Sequence, residues 1–148
     1  MSIGSICSRE IVSIAHDATL QDAARRMRDH HVGALVVTQA GSEGRQVVGV
    51  LSDRDLAIVA LADGHRAADL PVSSLLAGVR LVSVPEREDL MPAIDRMAEA
   101  GVRRLLVTDE AGHLVGLVSF DDLLRACAAQ LRGLAEVLSR GRERENGR

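Results

Sequence analysis

Apolar positions along this chain fall into short runs of strand length and longer stretches at helical spacing, and the two alternate in an order that occurs twice. The run 11–14 reads as a strand. Thr19 then opens a helix, with Asp22 three residues on as a cap signal. Leu20, Ala23, Ala24 and Met27 share one face of that helix, and Arg25, Arg26 and Asp29 lie on the other. Residues 33–38 form an apolar strand, the glycine-bearing stretch 39–45 a hairpin loop, and 47–51 the return strand. Ser52 begins a helix over 53–62 that Gly64 is placed to end. The order then repeats. A strand over 81–84 leads to a helix capped by Asp89, carrying Leu90, Ile94 and Met97 on its inner face and closed by Gly101. A strand over 103–108, a tight turn over Asp109-Glu110-Ala111-Gly112, a return strand over 114–118 and a last helix from Ser119 follow.

The two halves align side chain by side chain. Leu20, Met27, Leu35 and Val37 correspond at one constant offset to Leu90, Met97, Leu105 and Val107. Gly49, Ser52 and Asp55 correspond to Gly116, Ser119 and Asp122 at an offset three residues shorter, the difference being a longer first hairpin loop. The chain is therefore a tandem repeat of one β-α-β-β-α unit. Neither unit can hide its sheet alone, so the two are expected to pack together. The expected boundaries are 6–63 for the first repeat, 64–73 for a linker stiffened by Pro71, 74–132 for the second repeat, and 133–148 for the end of the last helix and a frayed tail.

Each half ends its last strand in Gly, two apolar residues, Ser, two variable residues and Asp: Gly49-Val50-Leu51-Ser52-Asp53-Arg54-Asp55, and Gly116-Leu117-Val118-Ser119-Phe120-Asp121-Asp122. This pattern has two readings. A helix start gathers unpaired N–H groups and the positive end of the peptide dipoles, which suits a phosphate, and a carboxylate one turn in suits the vicinal hydroxyls of a ribose. Ser-x-x-Asp is equally a capping box that satisfies the helix's own N–H groups.

Composition narrows the chemistry. Apolar residues make up 47% of the 148, with one Phe and no Trp or Tyr, so the core is aliphatic. A net charge of −3 and the lack of an aromatic platform beyond Phe120 speak against a nucleic-acid partner. All 18 basic residues are Arg, so neither a Schiff base nor a P-loop is available. No catalytic Ser-His-Asp or Cys-His set is suggested by spacing, and an enzyme is not expected. Cys7 and Cys127 have no metal-like spacing and read as reduced thiols of a cytoplasmic protein. The neighbours His30 and His31 diverge by roughly 100° on a helix and cannot share a metal. His16, His65 and His113 sit in predicted turns, and no metal site is expected. No stretch reads as a signal peptide or membrane span.

Two units of this order, each ending in Gly-apolar-apolar-Ser-x-x-Asp, resemble a pair of cystathionine-β-synthase (CBS) domains, the Bateman module, over about Ile6 to Arg132. The resemblance implies an α/β (α+β) fold of two β-α-β-β-α repeats packed as a pseudo-twofold pair, with two clefts that commonly bind AMP, ADP, ATP, S-adenosylmethionine or NAD. It implies a ligand sensor that regulates a partner protein. The alternative is a structural or protein-interaction module that binds no nucleotide.

Carried over residue by residue, the resemblance implies a first cleft of Ser52, Arg54, Asp55, Ala77, Val82, Arg103 and Arg104. Ser52 would meet phosphate, Asp55 ribose, Ala77 and Val82 adenine, and the two arginines the phosphate chain. The second cleft would hold Cys7, Val12, Gly33, Ala34, Ser119 and Asp122. Gly33 and Ala34 stand where the other cleft has two arginines, so phosphorylated nucleotide is expected to prefer the first cleft by tenfold or more.

Along the last helix Leu124, Cys127, Leu131, Leu134 and Leu138 follow an a/d pattern. The stripe reads either as packing on its own domain or as a dimer contact. Because proteins of this family often pair, a homodimer is expected.

Overall fold

The computed structural model describes residues 1–146, with side chains through Arg142. The chain forms two compact units: Glu10–Leu81, and Met1–Arg9 together with the chain from Val82 onward. Each carries a three-stranded sheet of one topology.

In the first unit, β1 (Ser13–Ala15) pairs in parallel with β2 (Ala34–Gly41), which pairs antiparallel with β3 (Gly44–Ser52). Between β1 and β2 runs α1 (Leu20–His30), and β3 leads into α2 (Asp53–Asp63). In the second unit, β4 (Ser83–Pro85), α3 (Leu90–Ala100), β5 (Arg104–Thr108), β6 (Leu114–Ser119) and α4 (Phe120–Asn146) repeat this order. The duplication extends to irregularities. A bulge interrupts the hairpin pairing after Val37 in one sheet and after Val107 in the other.

The local causes are those the side chains supply. Thr19 Oγ1 accepts the Asp22 N–H at 3.1 Å and starts α1, whose Leu20, Ala23 and Met27 are buried. Both α1 and α3 end in the left-handed region, at His31 (φ 54°) and Gly101 (φ 66°). The same bond follows each, Val32 N–H to Met27 C=O and Val102 N–H to Met97 C=O, both at 3.0 Å. His30 and His31 thus terminate a helix. Among the described residues, no group of three or more His, Cys, Asp or Glu side chains is arranged to hold a metal ion.

In the β5–β6 turn, Asp109 accepts the N–H groups of Ala111 and His113. These bonds, His113's first, hold its carboxyl below the usual carboxylate range. Their contribution is present above the unfolded pKa and is lost as pH falls through the lower folded value.

The segment expected as a linker is folded. Two short 3-10 helices, Gly64–Asp69 and Val72–Leu75, occupy it, and Ala67 and Val72 are buried. Its apolar residues are what turn a connector into packing: Val72 joins Ile14, Leu35, Val37 and Leu51 in the first core.

The units do not coincide with the repeats, because the lead-in to each repeat packs on the other repeat's sheet. Ile3, fully buried, lies in the second core with Val84, Leu105 and Val107. The backbone bonds match on both sides: Ile3 N–H to Glu88 C=O at 2.8 Å and Gly4 N–H to Glu86 C=O at 2.7 Å, against Val72 N–H to Ala18 C=O and Ser73 N–H to His16 C=O, both at 2.8 Å. The lead-ins have exchanged places.

The tail also differs from expectation. Instead of fraying past Arg140, α4 continues through Gly133 and Gly141 to Asn146, carried by Arg- and Glu-rich sequence of good helix propensity. Residues 147 and 148 of the expected tail lie outside the described residues.

Candidate functional site

The two motifs sit where a return strand becomes a helix, and their geometry is the same. Ser52 ends β3. Its N–H and Oγ–H both donate to Asp55 Oδ2, at 2.9 and 2.6 Å, and its Oγ accepts the Asp55 N–H at 3.1 Å. Ser119 ends β6 and makes the same bonds with Asp122, at 2.9, 2.6 and 3.2 Å. Both are complete capping boxes. Each uses one carboxylate oxygen, Oδ2. Asp55 Oδ1 takes no part in its box, and the Arg125 guanidinium lies 3.8 Å from Asp122 Oδ1.

The motif glycines mark close approaches. A Cβ on Gly116 would stand 2.8 Å from Cys7 Sγ and 2.9 Å from the Ser8 carbonyl oxygen. A Cβ on Gly49 would collide with the Leu76 methyls. Cys7 and Leu76 therefore occupy equivalent places over the two motifs. The expected clefts hold Cys7 in one and Ala77 in the other. The buried pair Ile3 and Val72 shows that the lead-ins correspond one residue earlier than the strands do, which makes Leu76 the counterpart and leaves Ala77 beside it, exposed. Burial pushes the Cys7 thiol up, only partly offset by Arg9, with Asp122 adding to the rise, so the sulfur stays protonated at neutral pH.

The start of the middle strand lies beside each motif. Ala34 is the register partner of Ser52, and Asp53 N–H donates to Gly33 C=O at 3.0 Å. Arg104 is the register partner of Ser119, and Phe120 N–H donates to Arg103 C=O at 2.8 Å. The Arg103 guanidinium lies over the Phe120 ring, 5.3 Å from its centre, with Asp121 at 4.0 Å. The two edges thus differ in charge: Gly33 faces the Asp53 carboxylate in one unit, whereas two arginines and an aromatic ring flank the motif in the other.

Of the first expected set, Ser52, Arg54, Asp55 and Ala77 belong to the first unit. Val82, Arg103 and Arg104 belong to the second, where the Val82 carbonyl accepts the Leu106 N–H of β5 at 3.0 Å. Of the other set, Cys7, Ser119 and Asp122 come together in the second unit. Val12, Gly33 and Ala34 lie in the first, where the Val12 carbonyl accepts the Val36 N–H of β2 at 2.9 Å.

A duplicated β-α-β-β-α unit with a Ser/Asp-capped helix after each return strand defines a tandem CBS-type pair. The family model for the CBS domain matches residues 3–61 and 72–129, and the chain belongs to that family. The CBS domain-containing protein YhcV of Bacillus subtilis is 34% identical over 122 residues, covering 82% of each chain. The 5'-AMP-activated protein kinase subunit gamma-3 of Bos taurus is 32% identical over 132 residues, 85% of this chain and 26% of that protein. The CBS domain pair of protein MJ0100, solved with 5-methylthioadenosine and S-adenosyl-L-methionine, superposes with a TM-score of 0.69 at 20% identity, over 88% of this chain and 98% of that one. Among curated relatives the spans vary: the chain covers 62% of the length of the Methanopyrus kandleri protein MK0525, at 26% identity over 84% of this chain. No helix among the described residues is long and apolar enough to cross a membrane.

Proposed function

We propose that this chain is a regulatory module that binds an adenosine-bearing ligand at the helix starts Ser52–Asp55 and Ser119–Asp122 and passes its occupancy to a partner protein. AMP, ADP and ATP are the first candidates, with S-adenosylmethionine and NAD beside them. The observation that supports this reading most directly is the half-used carboxylate. In both copies the capping box takes Oδ2 alone and does not use Oδ1, which suits ribose hydroxyls at a helix N-terminus that favours phosphate; in the second copy Oδ1 also has the Arg125 guanidinium 3.8 Å away. The relatives add to it: a subunit of an AMP-activated kinase shares 32% of its residues with this chain over the matched span, and a CBS pair of the same fold was solved with two adenosyl ligands.

A second reading has its own observation. Both boxes are complete without a ligand, which is what a purely structural module requires. A thermal-shift panel of the five ligands separates the two. A ligand at about a hundred times its dissociation constant adds about 2.7 kcal/mol to the native state. For a chain of this length that is about 5–10 °C in Tm. No shift with any of the five would leave the structural reading.

Arg103 and Arg104 are the residues proposed to sort ligands by charge. Each charge-assisted contact contributes about 1.5–3 kcal/mol, and about 1.4 kcal/mol is tenfold. Replacing both by Ala is expected to weaken ATP at least tenfold while leaving adenosine within about threefold, as measured by titration calorimetry. Equal losses for the two ligands would contradict that role.

A further inference from the structure

We propose that Leu76–Val79 is a hinge that alternates between a turn and an extended form in which Ala77 bridges Val50, so that the sheet edge beside the Ser52 motif opens and closes. This inference is independent of any ligand. The two lead-ins run alike at their starts, where Ser2 bridges Asp89 and Pro71 bridges Thr19. They part at their ends. Ser8 bridges Leu117, N–H to C=O in both directions at 2.9 Å, and so seals the outer edge of β6. Ala77 and Val50 are the equivalent pair, and among the described residues no backbone bridge joins them. The cause is local. Gly78 lies in the left-handed region at φ 78°, and Val79 N–H donates to the Leu76 carbonyl at 3.1 Å, a four-residue turn that takes the chain off the edge. Arg9, which stands at the place of Gly78, does not have a positive φ.

Three observations make both forms available to one sequence. The first is the readiness of Val50. Val36 N–H donates to the Val12 carbonyl at 2.9 Å, on the β1 side, so Val36 exchanges no bonds with its register partner Val50, whose N–H and C=O point outward from β3. Leu106, Val82 and Leu117 repeat this arrangement in the second unit, and there Ser8 takes up the outward groups. The second is that the extended form is already realised in this molecule, by Cys7 and Ser8 over Gly116 and Leu117, beside the same motif. The third is the balance between the forms. Closing makes two backbone bonds and breaks one, glycine takes either sign of φ, and a Cβ on Gly78 would meet no atom within 4 Å, so packing there does not lock the turn. Leu76, the first residue of the turn, lies on Gly49. A change in the turn therefore reaches the Ser52 motif, whereas the Ser119 motif has its edge fixed by Ser8.

The test is amide hydrogen exchange, read residue by residue by NMR on the full chain. In the wild type the Val50 amide is expected to exchange at least tenfold faster than that of Leu117. Gly78→Val, whose β-branched side chain disfavours a positive φ, is expected to straighten the segment and slow Val50 at least tenfold, with Leu117 unchanged. Gly78→Asn, which tolerates the left-handed region, is the control and is expected to exchange as the wild type does. A wild-type Val50 amide as slow as that of Leu117 overturns the proposal. So does a Gly78→Val chain whose Val50 stays fast, or equal slowing in the two variants. Should Gly78→Val not fold, relaxation dispersion on the wild type decides: two-state exchange is expected at Val50, Ala77 and Val79 and not at Ser8 or Leu117, and a flat profile at Val50 overturns the hinge.

Discussion

Ile3→Ala is expected to destabilise the protein by about 3 kcal/mol, and the loss is expected in the half that Ile3 does not precede. Ile3 is fully buried among Val84, Leu90, Leu105 and Val107, so truncation leaves a cavity in the second core. Its backbone is fixed by the bond to Glu88, which limits how far the site can collapse. Amide exchange should read the location: protection should fall in β5, β6 and the start of α4 and hold in β2 and β3. Val72→Ala is the mirror experiment, with protection lost in the first sheet. Loss confined to the strands that follow Ile3 in sequence, β1 to β3, would mean that the lead-ins are not exchanged.

Gly116→Ala is expected to cost about 2–3 kcal/mol, and Gly49→Ala about 1 kcal/mol, although the two glycines hold the same place in the motif. The added methyl on Gly116 meets a backbone oxygen, that of Ser8, which is tied to Leu117 by reciprocal hydrogen bonds of 2.9 Å. Relief requires moving the whole N-terminal segment, and overpacking of that kind costs about 1–3 kcal/mol. At Gly49 the obstacle is the far end of one leucine, which can rotate. Urea unfolding measures both. Leu76→Ala in the Gly49→Ala background should remove the clash and return part of the loss. Cys7→Ala in the Gly116→Ala background should return little, because the Ser8 carbonyl remains. Equal costs at the two glycines would contradict the difference between side-chain and backbone contacts.

What was legible in the sequence was whatever is written in local pattern. Thr19 with Asp22, Ser52 with Asp55, and Gly101 after Met97 each name a helix end through a side chain or a lack of one, and each stands where the pattern put it. The duplication was legible because Leu20, Met27, Leu35 and Val37 keep their spacing in the second half. The exchange of lead-ins was not, since residues 3–9 and 72–78 are too short to show a period and a buried Ile says nothing about which sheet it joins. That also hid Leu76: the lead-ins and the strands correspond at offsets one residue apart, so the strand offset leads from Cys7 to Ala77. Leu70 and Val72 read as connector because they stand beside a proline and between polar residues. The partner of Arg103 escaped because Phe120 and Asp121 are distant in sequence and meet it only through the register of β5 with β6.

Titration calorimetry with AMP, ATP and S-adenosylmethionine, on the wild-type chain and on Asp55→Ala with Asp122→Ala, tests the central claim most directly. The account predicts saturable binding of at least one of the three to the wild type. It predicts at least a hundredfold loss in the double variant, which should remain folded at a cost of about 1 kcal/mol for each cap removed. Undiminished affinity in a folded double variant, or the absence of saturable heat from the wild type with all three, would contradict it.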